Sequence, residues 1–540
     1  NYFRHGLLVA LDKNGTGLGL TKGLLKRDAK MPFGLAVDEK RWQEAVVKAW
    51  DIADVLVLFP GETFRADLYG SERLLGRAIG RELKLLRLVA DCLDIKRDLL
   101  LVLSFATPRK SRYEHSFLFA VGEGILPGSL FTSATTHQEG IVSILDIPAT
   151  ILDFFGTEPA DRLNGSPIRS VPNSKLDKEH LFQTAAKAQI TDAYLRVATL
   201  SVWCMVQAFL FLAVALALSG KQIDRVKNRG SSVLSALGWF SLLTSLSHLT
   251  FGIDNHLVAL LTAIIVPPAL GVVAVRHRDG EALFGLGVLI AVLVFLFDGL
   301  TQGKLSLNAP FGYSTFFGGR YYGLGNVGMG LTLGALVAAG LLLNHRGLTV
   351  MLSILGAVLS GAPFWGANVG GALTGAVVAG TAMVSGRFRW WHLLAMVLLV
   401  LALFGFFTAV ELTRQQPLTH WGRFVQGVAH AGVGEAIAMV QTKLGITFRA
   451  FRSIHWNIAL ASQILLMAIL WLQMNKARKE GREVCQGWQW WTIAVGSIAA
   501  CLLNDSGPQT PVAFAFFPLC VLSEKSLSDL RDLPSRQPLG

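Results

Sequence analysis

The sequence predicts an α/β soluble domain of roughly 190 residues followed by an all-α polytopic transmembrane domain of about 11 helices. Three observations carry this expectation. Charged residues are dense up to about Asp192 and sparse after it, short buried-strand patterns flank an amphipathic helix in the first part, and long apolar runs fill the second. With 540 residues, 16% of them charged, and a mean hydropathy of +0.47, the chain is too apolar for an ordinary water-soluble globule. It is also too charged to be membrane throughout.

In the first part, Asp54 to Phe59 and Asp98 to Ser104 are Val- or Leu-rich runs bounded by Pro or Ser, the pattern of buried strands. Between them Leu74, Leu75, Ala78, Ile79, Leu83, Leu86, Val89, Ala90 and Leu93 recur at helical spacing, with Arg and Lys on the other face. Strand, helix, strand implies a parallel crossover. A further strand is expected over Ser116 to Val121 and a helix from about Leu145 to Phe155. The implied domains are 1–166, a linker over 167–195, a membrane domain over 196–523 and a tail over 524–540.

Apolar runs place spans at about 196–219, 231–251, 256–275, 281–301, 324–343, 348–363, 367–385, 391–411, 456–474, 489–505 and 510–523. One set of alternate loops holds about thirteen basic residues and the opposite set about seven, so the first set is expected in the cytoplasm. The soluble domain then lies outside, the C-terminus inside, and the location is a plasma or inner membrane. The formal charge of +12 comes mostly from short basic clusters beside apolar runs. Positive-inside bias and anionic lipid account for those clusters, and nucleic acid is not an expected partner. The five cysteines are widely spaced without a CxxC pair, which argues against a zinc site or a disulfide framework. The chain starts at Asn1 with no Met or signal-like stretch, as a fragment would.

With this topology the costly polar groups gather on the outer side. Asp254 and Asp298 fall at outer span ends, Arg320 and Asn326 enter the fifth span, and Asn368 lies in a Gly-rich turn. His420 and Arg423 occupy a long outer loop, and Asn504 and Asp505 make the last outer turn. Gly-rich backbone at membrane depth is tolerated where it is buried in protein or lines a wet cavity. Close helix packing through small residues is the alternative. Arg320 and Arg423 suit an oxyanion, because a guanidinium binds it bidentately and stays charged. His420 or Asp505 could exchange a proton with a sugar or lipid hydroxyl. The substrate-binding set is thus Arg320, Asn326, Asn368, Arg423, Asn504 and Asp298, with His420 and Asp505 as catalytic candidates. Residues Gly434 to Arg452 mix apolar and basic side chains like a helix lying on the outer interface.

Residues His115 to Gly156, with the Thr136–His137 segment and the Asp146-Ile-Pro-Ala-Thr150 helix start, resemble the closing part of the alkaline-phosphatase-like superfamily. The resemblance implies a layered α/β fold and phosphate-ester or lipid-headgroup chemistry, with His137 and Asp146 placed like metal ligands. The family's nucleophile strand has no counterpart here, and Ser104 to Pro108 stands where its Asp-His pair would be. A divalent metal is therefore implied only if sequence upstream of Asn1 supplies further ligands. In the second half, Arg320, Gly323 and Asn326, then Asn368 to Gly371, then His420 and Arg423, are similar to motifs of O-antigen ligases and related polymerases. Together these imply a cell-envelope protein that binds or processes a phospholipid or lipid-linked substrate, with envelope-assembly proteins as partners. A transporter or flippase with a non-catalytic ectodomain, and a non-enzymatic scaffold, are the competing expectations.

Overall fold

A computed structural model of the chain describes residues 23–50, 53–104, 115–157, 165–172, 178–219, 233, 236–248, 280–316, 321–384, 390–413, 422, 433–482 and 485–532. Two compact units result, Asn1–Leu181 and Phe182–Gly540.

The first unit opens with a hairpin, β1 (Leu25–Arg27) and β2 (Leu35–Val37), pairing Leu25 with Val37. Helices α1 (Glu39–Trp50), α2 (Glu62–Tyr69) and α3 (Glu72–Ala90) follow. Ser71 starts α3 by accepting a hydrogen bond from the Leu74 amide at 3.4 Å. Ala78, Leu85 and Val89 form the buried stripe of α3, packing with Val37, Trp42 and Val46 around one small core and with Ala36 and Ala66 around another. Ile79 and Leu83, expected on that face, are exposed. Glu62 is fully buried and accepts from the Val37 amide at 2.7 Å and from Arg81 at 3.0 Å. The Glu82 carboxylate accepts from the Glu62 and Thr63 amides, placing negative charge where the α2 dipole favours it.

β3 (Leu99–Leu103) pairs antiparallel with β4 (Leu118–Gly122), in register Leu99 to Gly122. β5 (Leu130–Thr132) pairs antiparallel with β6 (Arg169–Val171), and α4 (Asp146–Phe154) lies between them in sequence. The stretch expected to be a linker therefore contributes a strand, and α5 (Lys178–Ile190) follows it.

The second unit is helical. A π-helical turn (Thr191–Leu195) leads into α6 (Arg196–Ser219), and after it come α7 (Gly280–Leu300), α8 (Asn326–Leu342), α9 (Arg346–Gly361) and α10 (Val369–Met383). Then come α11 (Trp390–Thr413), α12 (Val433–Ala450), α13 (Ile454–Lys479), α14 (Gly487–Leu502) and α15 (Gln509–Asp532). Residues 236–248 are also helical. α8 is the core element, buried around nearly its whole circumference. Against it and its neighbours pack Trp203, Phe211, Trp456, Phe514, Phe516 and Phe517.

The fold class differs from the sequence expectation. Among the described residues there is no parallel α/β layer, only three two-stranded antiparallel sheets. The Asp54 to Phe59 run joins no ladder, and β3 finds its partner downstream in β4. The about 11 transmembrane helices are corrected as well. Among the described residues, 3 helical stretches are long and apolar enough to cross a membrane: Leu181–Ser219, Trp390–Glu411 and Ile454–Lys479. Phe284–Leu300, Asn326–Leu342, Arg346–Gly361 and Val369–Met383 are apolar but only 10–17 residues long. At 1.5 Å per residue α8, α9 and α10 are each at most about 26 Å, short of a hydrocarbon core of about 30 Å. An apolar run marks a buried helix as readily as a span, and α8 is the clear case.

Candidate functional site

Three of the residues singled out in the sequence meet at one end of the helical unit. α10 begins where Asn368 caps it, its Oδ1 accepting from the Gly371 amide at 3.0 Å. The Asn368 amide nitrogen donates to Leu324 O at 3.1 Å and to Asn326 Oδ1 at 3.0 Å. Asn326, the first residue of α8, donates in turn to Asp505 Oδ1 at 2.8 Å. Asp505 lies in the turn between α14 and α15. Beside it Asn504 donates to Ala500 O at 3.0 Å and to Thr374 Oγ1 at 3.3 Å, and its own carbonyl accepts from Thr447. Asn368 and Asn504 are buried, whereas Asn326 and Asp505 are half-buried.

Two glycines allow the approach. At Gly323, with φ +81°, a Cβ would lie 2.3 Å from Gly366 O, and at Gly370 one would lie 2.5 Å from both Asn504 Oδ1 and Leu503 O. Any side chain at Gly370 would drive α10 away from the Asn504 turn.

A second polar cluster lies at the end of α7. Asp298 Oδ2 accepts from Ser306 Oγ and sits 2.9 Å from His248 Nε2, while Asp298 Oδ1 accepts from the Leu305 amide at 2.7 Å and the Ser306 amide at 3.2 Å. His248, Asp298 and Ser306 are all buried. A nucleophile, base and carboxylate relay needs hydroxyl and carboxylate on opposite ring nitrogens. Here Ser306 Oγ and the carboxylate both face Nε2, and Nδ1 has no hydrogen-bond partner among the described residues. The cluster is thus a clamp that closes the loop after α7. From it the backbone carries on: the Gly303 amide donates to Asp298 O, the Gly323 amide to Gln302 O, and the Leu324 amide to Gly366 O. Hydrogen bonds therefore lead from Asp298 to Asp505. The other end of that loop is held by Arg196, which donates to Gly312 O at 2.8 Å and Asp192 Oδ1 at 2.6 Å, while Ser314 donates to Asp192 Oδ2.

Asn326, Asn368 and Asp505 are thus hydrogen-bonded in series, Asn504 is adjacent, and Asp298 belongs to the second cluster. Arg320, His420 and Arg423, with Asp254, lie outside the described residues. In the first unit Asp146 is fully buried, accepting from Ser133 Oγ at 2.7 Å, the Ser143 amide at 2.8 Å and the Ser166 amide at 3.0 Å. Its two oxygens already serve the start of α4, which does not fit a metal ligand. His137 sits in a left-handed turn with φ 55°. Among the described residues no group of three or more His, Cys, Asp or Glu could hold a metal ion.

Sequence reasoning missed His248, Ser306, Asp192, Arg196 and Thr374. It also missed Gln463, which donates to Gln207 Oε1 at 2.7 Å between α13 and α6. A lone Gln in the middle of each apolar run was the available signal, because an amide in such a setting needs a partner. No protein-family model, curated protein or solved structure matches this chain.

Proposed function

We propose that the chain is an integral membrane protein of the cell envelope that binds the polar head of a phospholipid or lipid-linked substrate at the Asn326–Asn368–Asp505 cluster. The carrying observation is that hydrogen-bonded series, set where the first turns of two apolar helices meet the half-buried Asp505. Membrane insertion is supported by the three long apolar helices and by apolar side chains left exposed along them. On α6 these are Val197, Val202, Phe209 and Leu216, and on α13 Ile454, Ile464 and Leu472. Exposed apolar surface on this scale is costly in water.

Carboxamides offer both donors and acceptors and a carboxylate adds a strong acceptor, a set that suits hydroxyl-bearing head groups. Asp505 is the cluster's proton acceptor, and the anion-binding roles of Arg320 and Arg423, with His420 as a second proton carrier, complete the same reading. Metal-dependent hydrolysis by the first unit forms no part of it, because Asp146 is committed to hydrogen bonds. The test is lipid and glycan mass spectrometry of cells carrying the wild-type chain or Asp505→Asn, Asn326→Ala or Asn368→Ala. The expected result is a changed level of one lipid or lipid-linked species in all three variants, with insertion intact. Unchanged profiles in stably inserted variants overturn the reading.

A second reading, transport, draws on the buried Asp298–His248 pair, because ionisable groups inside apolar helices often mark ion paths. Proton-coupled uptake into vesicles that is lost in Asp298→Asn but kept in Asp505→Asn would favour it.

A further inference from the structure

α12 leads through Phe451–Ser453 straight into α13, a helix of 26 residues apolar enough to span a membrane. If α13 crosses the bilayer, the C-terminal end of α12 must lie at the bilayer boundary. The surface of α12 matches that position. Leu444, Phe448 and Phe451, spaced i, i+4, i+7, form one apolar ridge, and they are 44%, 73% and 37% exposed. Arg449 and Arg452 form an adjacent basic ridge on one side of the apolar ridge, Lys443 flanks it on the other, and all three are exposed. Among the described residues no carboxylate is within ion-pair distance of these three cations.

The remaining face is docked. Thr447 Oγ1 donates to Asn504 O at 3.3 Å, and a Cβ at Gly507 would lie 2.9 Å from Ala450 Cβ. One face of α12 is thus held by the turn that carries Asp505, with Phe451 at its edge, where a Cβ at Gly507 would lie 3.3 Å from Phe451 Cδ2, while Leu444 and Phe448 are exposed and, among the described residues, the cations form no ion pair, Arg449 donating to Gly445 O at 3.2 Å.

We infer that α12 is an interfacial helix that recognises an anionic phospholipid surface, sinking Leu444, Phe448 and Phe451 among acyl chains and setting Lys443, Arg449 and Arg452 against phosphate head groups. Charge decides between this occupant and a second copy of the chain: two copies of the basic ridge repel, whereas a phosphate-rich leaflet attracts all three cations. The inference rests on α13 as a span, not on the function of the Asn326–Asp505 cluster. It adds a lipid preference next to that cluster, because the docked face of the same helix, at Thr447 and Ala450, touches the Asn504–Gly507 turn.

The test is hydrogen–deuterium exchange on the full chain in two kinds of nanodisc, one of phosphatidylcholine alone and one with about a quarter phosphatidylglycerol. Amides of 441–452 are expected to exchange about threefold or more slower in the anionic discs, with the difference removed by about 0.5 M salt. Lys443→Gln/Arg449→Gln/Arg452→Gln should abolish the difference while leaving α13 protected. Phe448→Glu should raise exchange in both discs. Equal exchange in the two lipids with α13 protected overturns the inference, as does protection that follows protein concentration in place of lipid charge. Rapid exchange throughout α13 in both discs overturns the spanning reading and this inference with it.

Discussion

Asn326 Nδ2 donates to Asp505 Oδ1 at 2.8 Å across 179 residues of sequence, joining the first turn of α8 to the turn that precedes α15. Because Asn326 also accepts from Asn368, this one carboxamide holds three helix ends together.

Removing that carboxamide should be felt beyond one bond. A hydrogen bond to a charged group contributes about 1.5–3 kcal/mol, and Asn326→Ala is expected to lose an amount in that range. Asp505→Asn keeps the shape and an acceptor oxygen and should lose less. Thermal unfolding in detergent, with the Asn326→Ala/Asp505→Ala double variant, should return a coupling energy above about 0.5 kcal/mol. Strict additivity would mean that the pair does not interact.

Gly370 and Gly405 offer a matched comparison. A Cβ at Gly370 meets Asn504 Oδ1 and Leu503 O at 2.5 Å, whereas one at Gly405 meets nothing within 4 Å. Gly370→Ala should destabilise by about 1–3 kcal/mol. Gly405→Ala, inside α11, should instead stabilise by roughly 0.5–1 kcal/mol. Equal melting temperatures for the two variants would contradict the packing.

Asp298→Ala strips partners from Ser306 Oγ, His248 and two backbone amides at once. Breaking a buried charged cluster in this way costs about 3–5 kcal/mol. The expected result is a sharp fall in folded yield, with Asp298→Asn losing less. Proteolysis of the 299–306 loop is the direct readout, and wild-type resistance in Asp298→Ala would rule out the clamp.

In the first unit, hydrogen bonds from Arg169 at 2.5 and 2.8 Å hold the Asp153 carboxyl below its ordinary range. A depressed carboxyl adds stability that is complete above the unfolded value of about 3.9 and is lost as pH falls through the lower folded value. Both side chains are more than a third exposed, so solvent screens the pair and the effect is small. Hydrogen exchange in α4 of the full chain should rise as pH drops below about 4, after correction for intrinsic rates, and Arg169→Gln should flatten that rise. An unchanged rise in the variant would show that the pair does not couple to α4.

Local signals in the sequence locate several elements well. The Asn-Val-Gly-Gly turn marks the start of α10, because a side-chain cap and small residues belong at such a start. The apolar runs of α6, α11 and α13 mark long helices. Two things were not legible. An apolar run reads the same in a span and in an enclosed core helix, so α8, α9 and α10 were counted as crossings. Strand partners and side-chain contacts are fixed by tertiary structure, so the antiparallel partner of β3 and the link from Asn326 to Asp505 had no local signature. The costly polar residues did point to the cluster, but its hydrogen-bonding order appears only in three dimensions.

The first unit leaves Val55, Val57 and Phe59 exposed without a ladder, and it also carries a two-stranded sheet on whose β4 Phe119 and Val121 are exposed. Such surface invites aggregation by strand addition. A piece comprising this unit alone should therefore self-associate in water, and charged substitutions at Val57 and Phe119 are the first changes to make if it is to be kept monodisperse.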